Sequence, residues 1–245
     1  RKGWVFDLLN VLLYGVLTGV IAYLLGSISF SIIFTKLFSH KQDIRTMGSG
    51  NAGATNVLRS VGPKAAICTF IFDFAKGILS VFIGRQLFAY MTTFTSIEGI
   101  GSGELIQYGA YIAGFCCAMG HIFPIFFGFK GGKGVLTSWA IIALIDWRAF
   151  VMVIVVFIIV FLFSRIVSLA SICAAASFPV FTLIFNYFVD YQNQSSAAGP
   201  TSMLYVVSTV IIALLQAGIL IYKHRSNIQR LLAGEEKKIT VKKKN

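Results

Sequence analysis

Residues 149–163 of this chain read AFVMVIVVFIIVFLF, a run without a single charged side chain. A helix that crosses the hydrocarbon core of a bilayer needs about 20 mainly apolar residues, and this run with its flanks, 147–164, comes close to that length. The whole chain of 245 residues is similar in character, with 57% hydrophobic and 12% charged residues and a mean hydropathy of +0.81. Soluble domains carry about twice that share of charge. The sequence therefore predicts an all-α integral membrane protein.

Seven apolar stretches qualify as membrane helices, although the third and fourth are short. They lie at 9–38, 64–90, 107–123, 134–145, 147–164, 168–189 and 203–222. Only residues 146–148 separate the fourth stretch from the fifth, so this division is the weakest point of the assignment. We expect one transmembrane domain that covers residues 1–245.

The basic residues are distributed unevenly over the connecting segments. Segments 36–64 and 130–133, Arg165 and the tail from residue 223 hold most of the Lys and Arg, whereas 92–107 and 190–202 hold none. Cytoplasmic loops carry the excess of Lys and Arg in membrane proteins, which predicts an outside N-terminus, a cytoplasmic C-terminus and a basic cytoplasmic tail at about 237–245. This placement also explains the net charge of +12, so nucleic acid is not an expected partner.

Residues 48–59 read GSGNAGATNVLR, a polar segment in an otherwise apolar chain. Its glycines let successive backbone N–H groups converge on an anion, and phosphate fits such a cluster best. The side chains that add donors or positive charge are Ser49, Asn51, Thr55, Asn56 and Arg59. The spacing of the glycines matches a dinucleotide fingerprint, but a membrane helix precedes it where that fingerprint needs a strand. A flexible solvated loop is the alternative interpretation.

Residues 129–134 read FKGGKG and combine two lysines with three glycines at the start of a predicted helix. Backbone N–H groups and a helix N-terminus can face one anion there. The segment is not a Walker A loop, because the spacing is one residue short and Gly134 stands where Ser or Thr would bind magnesium. Alternatively, Lys130 and Lys133 mark the inner membrane face. His121, just upstream, is a second-rank candidate, because a lone histidine at a helix end is more often packed than catalytic.

The last predicted helix ends in a polar segment, 222–236, with His224, Asn227 and Arg230 three residues apart. In a continuing helix this spacing places neighbouring members on a shared face. A basic end that contacts anionic lipid is the simpler alternative. Within the membrane, Asp73 and Lys76 have the i, i+3 spacing of an ion pair, and we expect them to be paired.

Three segments, taken in order, resemble the PlsY family of membrane-integral acyl-phosphate:glycerol-3-phosphate acyltransferases. They are GSGNAGATNVLR at 48–59, GHIFPIFFGFKGGKGV at 120–135 and HRSNIQRLLAGEE at 224–236. DFAKG at 73–77 and SRIVSLAS at 164–171 also look like family segments. Loops 92–107 and 190–202 and the lysine tail lie outside the resemblance.

The resemblance implies a seven-helix enzyme of the bacterial cell membrane whose active site faces the cytoplasm. It would move a fatty acyl group from acyl phosphate to the 1-hydroxyl of sn-glycerol 3-phosphate, giving lysophosphatidic acid and phosphate, without a cofactor or metal. The bilayer and other enzymes of phospholipid synthesis are the further partners it implies. By motif match, the catalytic residues are Ser49, Arg59, Lys133, His224 and Asn227. The substrate or phosphate ligands are Gly50, Asn51, Thr55, Asn56, His121, Lys130, Gly131, Gly132, Gly134 and Ser168.

Other functions fit the sequence less well. An acyl-CoA acyltransferase would be expected to carry His-x-x-x-x-Asp, and none of the three histidines has Asp five residues on. An organic-phosphate transporter, the main alternative, should have its site near the midplane between repeated halves. A lipid-binding scaffold leaves the glycine-rich segments unexplained. The sequence leaves open whether His224 or a substrate phosphate accepts the hydroxyl proton.

Overall fold

The structure, a computed structural model, describes residues 2–39, 41–193 and 201–238. In this part of the chain the regular elements are helices, which confirms the all-α prediction. They are α1 (Lys2–Gly26), α2 (Phe30–Phe38), α3 (Ala54–Ser60), α4 (Pro63–Met91), α5 (Ser102–Ile122), α6 (Val135–Ile145), α7 (Trp147–Ser164), α8 (Val167–Leu183), α9 (Met203–Lys223) and α10 (Arg225–Leu232). Most of the predicted basic tail, 239–245, and residues 194–200 of the second loop lie outside the described residues.

Six helical runs in the described part are long and apolar enough to cross a membrane. They are Trp4–Phe38, Pro63–Met91, Ser102–Phe127, Trp147–Ser164, Val167–Tyr191 and Met203–Lys223. Helix α6 has only 11 residues, so it is about 16 Å long, roughly half the hydrocarbon thickness of about 30 Å. The chain therefore has several membrane-spanning helices, and seven remains a prediction that depends on α6.

Two predicted bounds differ from the structure. The predicted stretch 107–123 begins too late, because α5 already starts at Ser102. Its polar first turn looked like loop in the sequence, but Glu104 is buried and accepts hydrogen bonds from Ser202 Oγ at 2.5 Å and Ser202 N at 3.0 Å. The predicted stretch 9–38 also begins too late, because α1 starts at Lys2, and it is not one helix, since residues 27–29 interrupt it between α1 and α2.

This interruption exposes backbone carbonyls inside the protein, and a buried lysine satisfies them. Lys76 Nζ donates to Gly26 O at 3.1 Å and to Ile28 O at 2.8 Å. The same ammonium lies 2.8 Å from Asp73 Oδ1, so the predicted pair is confirmed. Unsatisfied carbonyls are costly in a bilayer, which explains why the cation is buried beside a broken helix.

The short corner between α6 and α7 depends on Asp146. Its backbone is extended, and its side chain accepts hydrogen bonds from Arg148 N at 2.9 Å and Ala149 N at 3.4 Å, which caps the first turn of α7. Arg148 in turn contacts both carboxylate oxygens of Asp190 at 2.8 Å. The division predicted at residues 146–148 is therefore confirmed, and the corner is tied to the π-helical segment Ile184–Tyr191 that follows α8.

Helices α4 and α5 approach each other closely through Gly84 and Gly109. A methyl group added at Gly84 would lie 2.6 Å from Ala113 Cβ, and one added at Gly109 would lie 2.6 Å from Phe88 Cδ2. Small residues allow such close packing between membrane helices, where association depends on van der Waals contact. The contact at Gly84 and Gly109 holds α5 against α4. The C-terminal end of α5 leads into the second polar segment.

The order of the helices brings all three polar segments to one end of the bundle. The described connections at that end are 41–62, 123–134 and 165–166, together with residues 224–238. Arg148–Asp190 and Glu104–Ser202 are the contacts at the opposite end. Polar chemistry thus concentrates at one membrane face.

Candidate active site

The first polar segment forms a tight loop followed by α3. Gly48 and Gly50 have φ values of +55° and +69°, in the left-handed region that favours glycine. Asn56, buried at 3% exposure, holds this loop together: its amide donates to Ile44 O, Met47 O and Asn51 O at 2.9–3.2 Å. Its Oδ1 accepts from Ser49 N at 3.0 Å. Asn56 was expected to bind phosphate, but the described contacts already occupy its amide, and they make it an organiser of the loop.

The other predicted residues of this segment are accessible. Ser49, Gly50, Thr55 and Arg59 are exposed, and Asn51 is half-buried. Arg59 lies in the last turn of α3, the helix that also contains Asn56. Among the described residues, the Ser49, Thr55 and Arg59 side chains make no hydrogen bond to the other two polar segments.

The second polar segment folds back on the end of α5. Gly131 N and Gly132 N donate to Ile122 O and His121 O, both at 3.3 Å. Gly134 has φ +82° and precedes the first turn of α6. This fold leaves Lys130 exposed and Lys133 half-buried.

The first and second polar segments, together with the residues just before them, touch in two places. A Cβ atom at Gly132 would collide with Ala52 O, so glycine permits the two loops to meet. Arg45 Nη1 donates to Phe127 O at 2.7 Å, while its Nη2 pairs with Asp43 Oδ2 at 2.7 Å. The hydrogen bond from Arg45 lowers the pKa of Asp43, so this pair stays charged. Sequence reasoning missed both residues, whose only signal is an acid and a base two positions apart.

The second and third segments meet at Lys133 and Asn227, because Lys133 Nζ donates a hydrogen bond to Asn227 Oδ1. Burial lowers the pKa of Lys133 to about 8, against an opposing effect of the Glu236 carboxylate. A lysine in this state is a cation held where solvent is scarce, and an anion there would interact with it strongly.

His224 stands between α9 and α10 and is 2% exposed. Its Nδ1 contacts Leu220 O at 2.8 Å, and since a carbonyl only accepts, Nδ1 carries the proton and Nε2 keeps its lone pair. Burial is the main reason that the pKa of His224 is lowered to about 4; the contact with Leu220 O opposes this shift, and the Lys133 charge adds to it. The ring is therefore neutral at pH 7.

Glu236 is a central residue of the site that sequence reasoning did not assign. Ser168 Oγ and Asn227 Nδ2 donate to its Oε1 at 2.7 and 2.6 Å, and Arg230 Nε donates to its Oε2 at 2.6 Å. Burial raises the pKa of Glu236, but these hydrogen bonds outweigh burial and the pKa lies below its usual value. The signal in the sequence is the preceding Gly234, whose φ of +72° turns the chain back after α10.

The structure thus brings together Lys133, His224, Asn227 and Ser168, the last through Glu236. His121 is buried beneath the glycines of the second segment, where its Nδ1 lies 3.3 Å from Thr137 Oγ1. An apolar pocket between α6, α8 and α9 begins at Val135, Ser171 and Leu220, within four residues of Lys133, Ser168 and His224 respectively. In the described part of the chain, no three His, Cys, Asp or Glu side chains cluster as a metal site requires.

Comparison with known proteins gives one consistent family. The family model described as glycerol-3-phosphate acyltransferase matches residues 16–234. Glycerol-3-phosphate acyltransferases from Finegoldia magna and Syntrophomonas wolfei are 35% and 38% identical to this chain. The alignments cover 93% and 91% of this chain and 97% and 96% of those proteins.

Two solved structures share the fold. One is the glycerol 3-phosphate form of PlsY, described as an integral membrane glycerol 3-phosphate acyltransferase, with a TM-score of 0.71 and 34% identity over 92% of this chain and 96% of that one. The other is its lysophosphatidic acid form, with a TM-score of 0.68 and 33% identity over 92% and 95% of the two chains.

Proposed function

Because this chain belongs to the glycerol-3-phosphate acyltransferase family, we propose that it acylates the 1-hydroxyl of sn-glycerol 3-phosphate with acyl phosphate as the donor. The hydroxyl oxygen forms an ester bond with the acyl carbon, the bond from that carbon to the phosphate oxygen breaks, and lysophosphatidic acid and phosphate result. No cofactor takes part in this scheme. The observation that carries the proposal is the contact of Lys133 with Asn227 beside a neutral His224.

Both substrates carry phosphate, so the site must hold two anions. One substrate phosphate is assigned to Lys133 and the glycines around it. The other is assigned to Arg59, Ser49 and Thr55 of the first polar segment. Arg59 and Lys133 also stabilise the charge that develops on the carbonyl oxygen and the departing phosphate. Asn56 supports the first loop by fixing its shape, and Gly50 and Asn51 complete its rim.

His224 is the proposed acceptor of the hydroxyl proton. Its Nδ1 proton is directed to Leu220 O, so Nε2 is the atom free to accept. A pKa of about 4 makes it a weak base in the ligand-free protein, but two incoming phosphates would raise that value. Acyl phosphate is already activated, so the remaining task is mainly positioning.

The acyl chain is assigned to the apolar pocket that starts next to Lys133, Ser168 and His224. This pocket continues to Ile142 and Phe178, deeper along α6 and α8. An apolar chain placed there stays out of water while its activated end remains beside the phosphate-binding residues. Ser168 is the proposed polar contact at the entrance of the pocket.

We further propose that the chain is one domain with seven crossings, an outside N-terminus and a cytoplasmic C-terminus. The polar segments and the basic tail then share the cytoplasmic face of a bacterial membrane, where glycerol 3-phosphate is available and where other enzymes of phospholipid synthesis can act on the product. The organic-phosphate transporter finds no support, since the family model and the solved structures are described as acyltransferases.

The decisive experiment incubates purified protein with labelled glycerol 3-phosphate and either palmitoyl phosphate or palmitoyl-CoA, with and without a chelator. We expect lysophosphatidic acid from palmitoyl phosphate alone, and no effect of the chelator. Product from palmitoyl-CoA alone would contradict the proposed donor, and loss of activity on chelation would contradict the metal-free scheme.

A further inference from the structure

Three buried ionisable side chains lie directly beneath the glycine loop that carries Lys133. Lys76 and Asp73 belong to α4 and are 4% and 2% exposed, and His121 belongs to the last turn of α5 and is 5% exposed. Among the described residues, none of the three makes a hydrogen bond to Asn227, His224 or Glu236. A buried ion pair such as Asp73–Lys76 adds little to the free energy of unfolding, because desolvation of the two charges offsets their attraction. Stability alone therefore does not explain why this pair is present.

These residues contact one another in series, from the break between α1 and α2 to the glycine loop that carries Lys133. Lys76 holds the carbonyls of Gly26 and Ile28 and lies 2.8 Å from Asp73 Oδ1, an ion pair without hydrogen-bond alignment. Asp73 Oδ1 is 3.8 Å from His121 Nδ1. These contacts therefore connect the α1–α2 break to the end of α5.

His121 is the link to the loop itself. Its carbonyl accepts the hydrogen bond of Gly132 N at 3.3 Å. Its ring lies under Gly132 and Gly134, since a Cβ atom at those glycines would be 3.2 Å from His121 Cε1 and 4.0 Å from His121 Cδ2. These two glycines flank Lys133 on either side. Thr137, whose hydroxyl lies 3.3 Å from His121 Nδ1 and from Asp73 O, fixes the ring from α6.

From this geometry we infer that Lys76, Asp73 and His121 are positioning residues, which hold the glycine loop at the depth where Lys133 meets Asn227 and the substrate phosphate. The inference deepens the proposed function and rests on it in one respect, that Lys133 binds phosphate. It replaces the expectation that His121 is itself a phosphate ligand.

The test compares two double variants that each remove one ion pair. Asp73→Asn with Lys76→Met removes both charges beneath the loop without leaving one unpaired. Arg148→Met with Asp190→Asn removes the Arg148–Asp190 ion pair at the opposite end of the bundle, where Asp146 also loses its contact with Arg148, and serves as the control. Thermal unfolding of both proteins establishes that each is folded.

The readout is the pKa of Lys133, obtained by competitive amine labelling over a range of pH and quantified by mass spectrometry, without turnover. The charged or titratable groups that face Lys133 are Arg230 from α10, Glu236 from the turn after α10, and Lys223 and His224 from the end of α9. Neither double variant alters them, so a shift reports movement of the loop. Turnover is measured in parallel with palmitoyl phosphate and glycerol 3-phosphate.

We expect the pKa of Lys133 to rise from about 8 toward 10.5 in the Asp73/Lys76 double variant, as the released loop becomes solvated, and kcat/KM to fall by at least about 10-fold. The Arg148/Asp190 control should change neither quantity. An unmoved Lys133 pKa in a folded Asp73/Lys76 variant, or equal shifts in both doubles, overturns the inference. Absence of acyl transfer in the unaltered protein would instead overturn the proposed function and leave the labelling result intact.

Discussion

Lys133 Nζ donates a hydrogen bond to Asn227 Oδ1, although the two residues stand 94 positions apart in the chain. The glycine loop brings the lysine to this point from one side, and the helix that follows α9 brings the amide from the other. The position of each of these two side chains therefore depends on the element that carries the other.

Replacement of Lys133 separates a role in phosphate binding from a role in topology. Lys133→Ala should lower kcat/KM by about 10²-fold or more, the scale of a lost preorganised contact in the transition state. Lys130→Ala, which changes the exposed lysine of the same loop, is the control and should retain most activity. A folded Lys133→Ala protein with normal kinetics would remove this loop from the site.

The pH dependence should reflect Lys133. Its pKa is lowered to about 8, so as pH rises through 8 the amine loses the charge that holds phosphate, and kcat/KM should decline there. Lys133→Arg keeps a charged group at every accessible pH, so this alkaline decline should disappear even if the activity at pH 7 is lower. The profile is measured as lysophosphatidic acid formed at saturating palmitoyl phosphate. Persistence of the decline in Lys133→Arg would assign it to another group.

His224→Asn tests the proton acceptor. The Asn amide can still donate to Leu220 O in place of Nδ1, but the variant has no Nε2, so only the proposed base is lost. We expect kcat to fall by about 10²-fold or more, the usual contribution of a general base. Initial rates at saturating substrates provide the measurement. A kcat near that of the unaltered protein would transfer the role to a substrate phosphate.

Glu236→Gln tests the carboxylate that Ser168, Asn227 and Arg230 share. The amide keeps the size of the side chain but removes the charge, so at least one charge-assisted hydrogen bond is lost and kcat/KM should fall by roughly 10-fold or more. Glu235→Gln changes the adjacent, exposed carboxylate and should be neutral. Equal activities of the two variants would show that Glu236 does not organise the site.

Sidedness can be tested by cysteine labelling in a protein whose four native cysteines are replaced. Thr46→Cys, in the first cytoplasmic loop of the proposed topology, should react only with reagent on the cytoplasmic side, and Glu98→Cys only with reagent outside. Both positions are exposed and avoid Gly50, where the φ of +69° would strain a cysteine. The reverse labelling pattern would invert the topology.

Much of the fold was predictable, because hydropathy alone fixes where apolar helices lie. The two differences have local causes: Glu104 starts α5 with a buried acid, and Lys76 satisfies a helix break that hydropathy cannot register. In the site, short motifs identified the three polar segments and the Asp73–Lys76 spacing. Glu236 was missed because Ser168, one of its partners, is distant in the sequence. Arg45 was missed because it binds a backbone carbonyl, that of Phe127.

The short length of α6 has a consequence for how two unlike substrates can meet. If its far end at Asp146 lies near one membrane surface, a helix of about 16 Å leaves Lys133 well below the other surface. Glycerol 3-phosphate would then reach Lys133 through a water-filled recess, at the depth where the acyl phosphate headgroup already lies in the bilayer. We expect the reaction to occur at this recessed boundary between water and lipid. The polar substrate then does not have to enter lipid, and the acyl chain does not have to enter water.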